Sequence, residues 1–126
     1  MSLKTPLGAA RGLGSAKNGT HHWIMQRITA VALVPLTLWF VFSALALSGA
    51  GYAEAAGWLA DPVNAVLMLL LIVATFHHLQ LGLQVVIEDY IHGEAAKIVT
   101  LLVVKFAAFA LGMAGAFAVL KVAFTA

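Results

Sequence analysis

The sequence predicts an all-α membrane protein with three transmembrane helices, and three observations carry that expectation. First, 63% of the 126 residues are hydrophobic and only 10% are charged, whereas a soluble domain is about half apolar and about one quarter charged. The mean hydropathy of +1.00 agrees. Second, three windows supply the roughly 20 apolar residues that cross about 30 Å of hydrocarbon: Ile28 to Leu47, Val63 to Ile87 and Ile98 to Leu120. Third, a lipid-facing segment has to satisfy its own backbone polar groups, so each window is read as a helix. Nothing remains for a soluble domain. The expected layout is a basic N-terminal segment over 1–23 and a three-helix domain over 24–126, with spans at about 26–48, 62–88 and 97–122.

The N-terminal stretch MSLKTPLGAARGLGSAKNGTHHW has no apolar core ahead of the first span, so it does not read as a signal peptide. It is basic, Gly/Ala-rich and acid-free, yet short and poor in arginine for a mitochondrial presequence. A bacterial protein that keeps this segment is the expectation. With Lys4, Arg11, Lys17 and Arg27 before or at the first span, and no Lys or Arg in the loop SGAGYAEAAGWLADP, the charge bias places the N-terminus in the cytoplasm. Three crossings then put the C-terminus in the periplasm. Lys121 breaks the bias, but a lysine at a helix end can snorkel to the interface.

The element boundaries carry their own signals. Asp61-Pro62 opens the second helix with a capping acid followed by a first-turn proline. Gly93 suits the turn after that helix. Pro35 falls inside the first helix, where proline removes a backbone donor and bends the chain. In the third helix Ala108, Gly112 and Ala116 form a small-residue ridge at spacing four, of the kind that lets helices approach closely.

Chemistry concentrates in the second span, in FHHLQLGLQVVIEDY. At 100° per residue, Gly82, Val85 and Asp89 fall within about 40° of His78 on the helix wheel. His77 points about 100° away from that stripe. His78 lies roughly 18 Å from Tyr90 along the axis, so it is inside the hydrocarbon while Asp89 and Tyr90 reach the cytoplasmic interface. An imidazole at that depth either pairs with a neighbouring helix or ligates a metal. Neutral imidazole is an axial haem ligand, and Gly82, one turn away, gives room for a flat ring. The remaining histidines, His21, His22 and His92, are near the surface, so a second axial ligand would have to come from another chain. Arg27, where the first helix leaves the interface, is placed to pair with a haem propionate, a lipid phosphate or a quinone oxygen, though by itself it reads first as a positive-inside anchor. The absence of cysteine excludes disulfides, thiolate metal sites and iron–sulfur ligation by this chain.

These residues bear a family resemblance. A histidine (His78), a glycine four residues on (Gly82) and an Asp-Tyr pair eleven residues after the histidine (Asp89, Tyr90) resemble the signature of the smaller hydrophobic membrane anchor of succinate dehydrogenase, complex II. GTHHWIMQRITAVAL resembles the start of that family's first helix, an Arg followed by x-T-A. The resemblance runs from about Gly14 to the end of the chain and is most like alphaproteobacterial members. It implies one half of a heterodimeric anchor bundle in the respiratory chain. The sister would be a second membrane anchor of the cytochrome b556 type, with an iron–sulfur subunit and a flavoprotein docked on the cytoplasmic face. It implies haem b shared between the two anchors, with His78 as the axial ligand to the haem iron. It implies Arg27 and His21 near the haem propionates, and Tyr90 and Asp89 at a ubiquinone site. The chain would then be non-catalytic by itself. Membrane lipid is an expected partner and nucleic acid is not. The alternatives are a fumarate reductase anchor, a haem-free accessory membrane protein in which the histidines only pair helices, and a small transporter with His78 and Asp89 in a proton relay.

Overall fold

The computed structural model describes residues 5–7 and 16–126; Lys4 and Arg11, used above for orientation, lie outside the described residues. Four helices follow in order: α1 (Ala16–Ala46), α2 (Tyr52–Ala60), α3 (Pro62–Tyr90) and α4 (Glu94–Thr125). No strand occurs among the described residues. Three of the helices are long and apolar enough to cross a membrane, over Gly19–Ala46, Pro62–Tyr90 and Glu94–Thr125. The all-α, three-span expectation is met.

The first helix starts well before the expected span, taking in Trp23 and both His21 and His22. Gly19 weakens that stretch most, and one helical glycine costs about 1 kcal/mol relative to alanine. Pro35 is inside α1, as expected. The helix closes through Gly49, whose φ of 83° is the left-handed conformation that favours glycine. The amide of Ala50 then bonds back to Leu47 O at 2.9 Å.

The loop between the first two spans is not structureless. Residues Tyr52–Ala60 form α2, which packs on α3 and α4 and buries Ala56. Trp58 stacks on Trp39 of α1, with ring centroids 5.5 Å apart. Asp61 is the hinge between α2 and α3. Its amide bonds to Trp58 O, and its Oδ1 accepts from the amides of Val63 and Asn64. Asn64 Nδ2 donates to Trp58 O at 2.9 Å and fixes the corner. The expected cap and N1 proline are therefore both present. We expect Asp61→Ala to lower stability in detergent by about 1 kcal/mol, the usual loss for an N-cap, as read from thermal unfolding of the purified complex.

At the other end, α3 stops at Ile91, whose backbone is extended and whose amide bonds to Ile87 O. Gly93 sits in that turn, as expected. With φ −75° it is not a left-handed cap, and it serves as the N-cap of α4.

The helix α3 is central. It packs against both α1 and α4, while α1 and α4 make no comparable contact with each other among the described residues. Neighbours run antiparallel: Thr29 meets His78, and Phe76 meets Gly112. The small-residue ridge has part of the expected role. A Cβ on Gly112 would lie 3.7 Å from the Phe76 ring, and one on Gly115 would lie 3.5 Å from Ile72. The buried interior is thin: Ala56, Ala74, Leu81, Ile87, Val119 and Thr29. Large apolar side chains such as Val31, Val34, Phe42, Phe106 and Phe117 face outward. Such faces suit lipid or another apolar chain, since in hydrocarbon there is no penalty for leaving them uncovered by this chain.

Candidate functional site

The two histidines of α3 occupy different surroundings, as a 100° step between neighbours requires. His78 faces α1. Its Nδ1 lies 2.9 Å from Oγ1 of Thr29, which is 6% exposed and is the buried polar residue among those described. Thr29 Oγ1 also lies 2.8 Å from Met25 O and 3.1 Å from Gln26 O. The hydroxyl has one proton, and both carbonyls can only accept. All three contacts are hydrogen bonds only if His78 Nδ1–H donates to Oγ1 while the hydroxyl donates back along α1. In neutral imidazole the other nitrogen, Nε2, then bears the free lone pair. That is the tautomer a metal-ligating histidine adopts when a neighbour orients it.

Gly82, one turn further, also faces α1. A Cβ there would stand 3.9 Å from Gln26 Nε2, an ordinary contact, so close helix approach does not by itself demand glycine. Asp89 and Tyr90 end the same helix fully in the open, Tyr90 at 78% exposure. Among the described residues no other part of the chain covers them, so a pocket they line takes a wall from beyond those residues. Arg27 lies on the far side of α1 from Thr29, two residues or about 200° away. Its guanidinium sits over the Trp23 ring at 5.3 Å, a cation–π contact at the helix end. The structure does not bring Arg27 and His78 together within this chain.

His77 faces about 100° away from His78, into a groove of about 700 Å³ between α1 and α4 with α3 as its floor. His21, His22 and Lys105 also line it. The Nε2 atoms of His22 and His77 are buried without a partner, as is Gln26 Oε1. Gln80 and Gln84 continue the His77 face as a hydrogen-bonded ladder: Gln80 Nε2 to Gln84 Oε1 at 3.4 Å, and Gln84 Nε2 to Glu88 Oε1 at 3.0 Å. His21 thus shares a site with His77 and not with His78. Thr29 and Lys105, with Gln26, Gln80 and Gln84, are polar residues that sequence reasoning passed over. Thr29 stands inside the quoted RITA stretch, and Lys105 is a cation within an otherwise apolar span. Among the described residues no group of three or more His, Asp or Glu side chains is placed to hold a bare metal ion.

A family model described as succinate dehydrogenase/fumarate reductase transmembrane subunit matches residues 1–112. The chain belongs to that family. The succinate dehydrogenase hydrophobic membrane anchor subunit of Rickettsia bellii is 38% identical over 96 residues, covering 76% of this chain and 77% of its own length. The counterpart of Rickettsia conorii is 37% identical over 90 residues, 71% of each chain. That of Paracoccus denitrificans is 35% identical over 98 residues, 77% of this chain and 75% of its own. The resemblance read from the histidine, glycine and Asp-Tyr spacing is borne out, including its alphaproteobacterial character. The chain is a multi-pass membrane anchor subunit of succinate dehydrogenase, and an anchor implies further subunits to hold. In this anchor the exposed apolar faces and the uncovered Asp89–Tyr90 end are the surfaces left for such neighbours.

Proposed function

We propose that this anchor helps bind haem b through His78 and contributes Tyr90 and Asp89 to a ubiquinone-reduction site. The observation that carries the haem reading is the Thr29 contact, which leaves the His78 Nε2 lone pair free. Haem b, when bound, supplies a one-electron redox centre. His78 would hold the haem iron from this chain, and the sister anchor, of the cytochrome b556 type, would supply the other ligand. His21 and Arg27, at the same end of α1, provide positive or hydrogen-bonding partners for propionates in the assembled bundle. Because Arg27 and His78 lie on different faces, this arrangement needs the second anchor to bring the ends of the group to both.

The quinone reading rests on chemistry at the end of α3. Reducing a quinone takes two electrons and two protons at one place. The Tyr90 phenol donates a hydrogen bond to a quinone carbonyl, and the Asp89 carboxyl, open to water, carries protons towards it. Both groups stand at the interface while the adjacent helix is apolar, so an isoprenoid tail can remain in lipid. The chain has no cysteine, so electrons must arrive from a docked iron–sulfur subunit fed by a flavoprotein. The orientation that fits is N-terminus cytoplasmic and C-terminus periplasmic, in a bacterial inner membrane.

Tyr90→Phe removes one hydroxyl from a side chain that is largely exposed among the described residues. A single hydrogen bond is worth about 1 kcal/mol, so quinone reductase turnover should fall roughly fivefold while the set of assembled subunits and the haem content stay as in the wild type. Unchanged ubiquinone kinetics would remove Tyr90 from the site.

A further inference from the structure

The groove between α1 and α4 belongs neither to His78 nor to the Asp89–Tyr90 end, and its polar groups are distributed along its length. One end carries His21, His22 and Lys105; among the described residues no acidic side chain lines it, and the nearest along α3, Glu88, is engaged by Gln84 Nε2. Lys105 is eleven residues into α4, a helix of 32 residues. A centred α4 is about 48 Å long and overhangs a roughly 30 Å hydrocarbon core by about 9 Å at each end. The Lys105 backbone is then about 7 Å inside the core, and its ammonium reaches the boundary only by extending along the groove. A cation at that depth is costly without an anion. His22 adds a buried Nε2 with no partner. Next come the side-chain amides of Gln84 and Gln80, and below them Val73, Phe76 and Met113 make the wall apolar. From Gln84 to Val73 the groove runs roughly 16 Å along α3, about the depth of one leaflet's hydrocarbon.

We propose that this groove binds an anionic phospholipid of the leaflet at the α1 N-terminal side. Its phosphate sits with Lys105 and His22, its ester carbonyls accept from Gln84 or Gln80, and one acyl chain lies along the apolar floor. Basic pockets between transmembrane helices recognise acidic headgroups in this way. The volume of about 700 Å³ is in the range of small-molecule and cofactor pockets, so the groove takes a headgroup and one chain and leaves the rest of the lipid in the bilayer. His77 lies about 10 Å below Gln84, beneath the ester level, and is not part of the lipid's polar contacts. This inference does not depend on the haem reading.

The test is native mass spectrometry of the whole complex, tagged on this chain and extracted in mild detergent. The wild type should retain a phospholipid mass on the anchor. Lys105→Met, which keeps length without charge, should lower its occupancy about fivefold, while Lys105→Arg should keep it. His77→Ala should leave it unchanged. Delipidated wild-type complex should rebind lipid from phosphatidylglycerol vesicles and not from phosphatidylcholine vesicles, and millimolar inorganic phosphate should not compete. Equal rebinding from both vesicles overturns the proposal, and so does full competition by phosphate, which would mark a plain anion site. A porphyrin mass that disappears with His77→Ala would make the groove a haem site and overturn it too. Should Lys105→Met fail to assemble, the vesicle comparison on the wild type decides alone.

Discussion

Complex carrying His78→Ala is expected to lose haem b, with the reduced-minus-oxidised absorbance falling to background at unchanged flavoprotein content. Alanine deletes the nitrogen that would bond the iron and leaves a gap in the α1–α3 contact. The sister anchor's ligand alone would not keep the haem in place. His77→Ala, one residue away, is expected to keep haem, because that ring faces the groove and not Thr29. The pair is informative because both variants remove an imidazole of the same size at the same depth. Haem lost with His77→Ala and kept with His78→Ala would reverse the assignment.

Replacing Thr29 with valine should have the next largest effect. Valine keeps the β-branched shape that fills the α1–α3 contact but has no hydroxyl. The His78 Nδ1–H would then be buried without its acceptor, at a cost of about 1–3 kcal/mol. Loss of an orienting partner of a metal ligand typically lowers affinity about 10- to 100-fold. Haem retention should therefore drop when apo-myoglobin competes for it, and the midpoint potential of the remaining haem should shift. Thr29→Ser restores the oxygen and should recover both. Equal behaviour of the valine and serine variants would make the Thr29 contact a packing contact only.

Much of this was legible from the chain. Length and apolar runs fix three spans, because the hydrocarbon thickness leaves few other arrangements. The Asp61-Pro62 boundary was legible because a cap is a local property of two residues. Helix α2 was not. Its nine residues, YAEAAGWLA, are too few to signal a helix alone. It persists through contacts far away in sequence, such as Trp58 on Trp39. For His77 and His78 the wheel separates their faces but cannot say which face meets α1. That depends on the register between α1 and α3, which Thr29 reveals. Thr29 itself carried a faint signal, a hydroxyl in an apolar run next to an interfacial arginine. Lys105 carried a stronger one, a cation inside a span. Its meaning depended on a groove that only the splaying of α1 and α4 on either side of α3 creates.

The most direct check is to purify the complex from its native membrane through a tag on this chain and measure haem b against the chain itself. The account requires equimolar haem b, together with a flavoprotein, an iron–sulfur protein and a second small membrane anchor. A pure, active succinate:quinone oxidoreductase without haem, or this chain isolated with none of those companions, would contradict it.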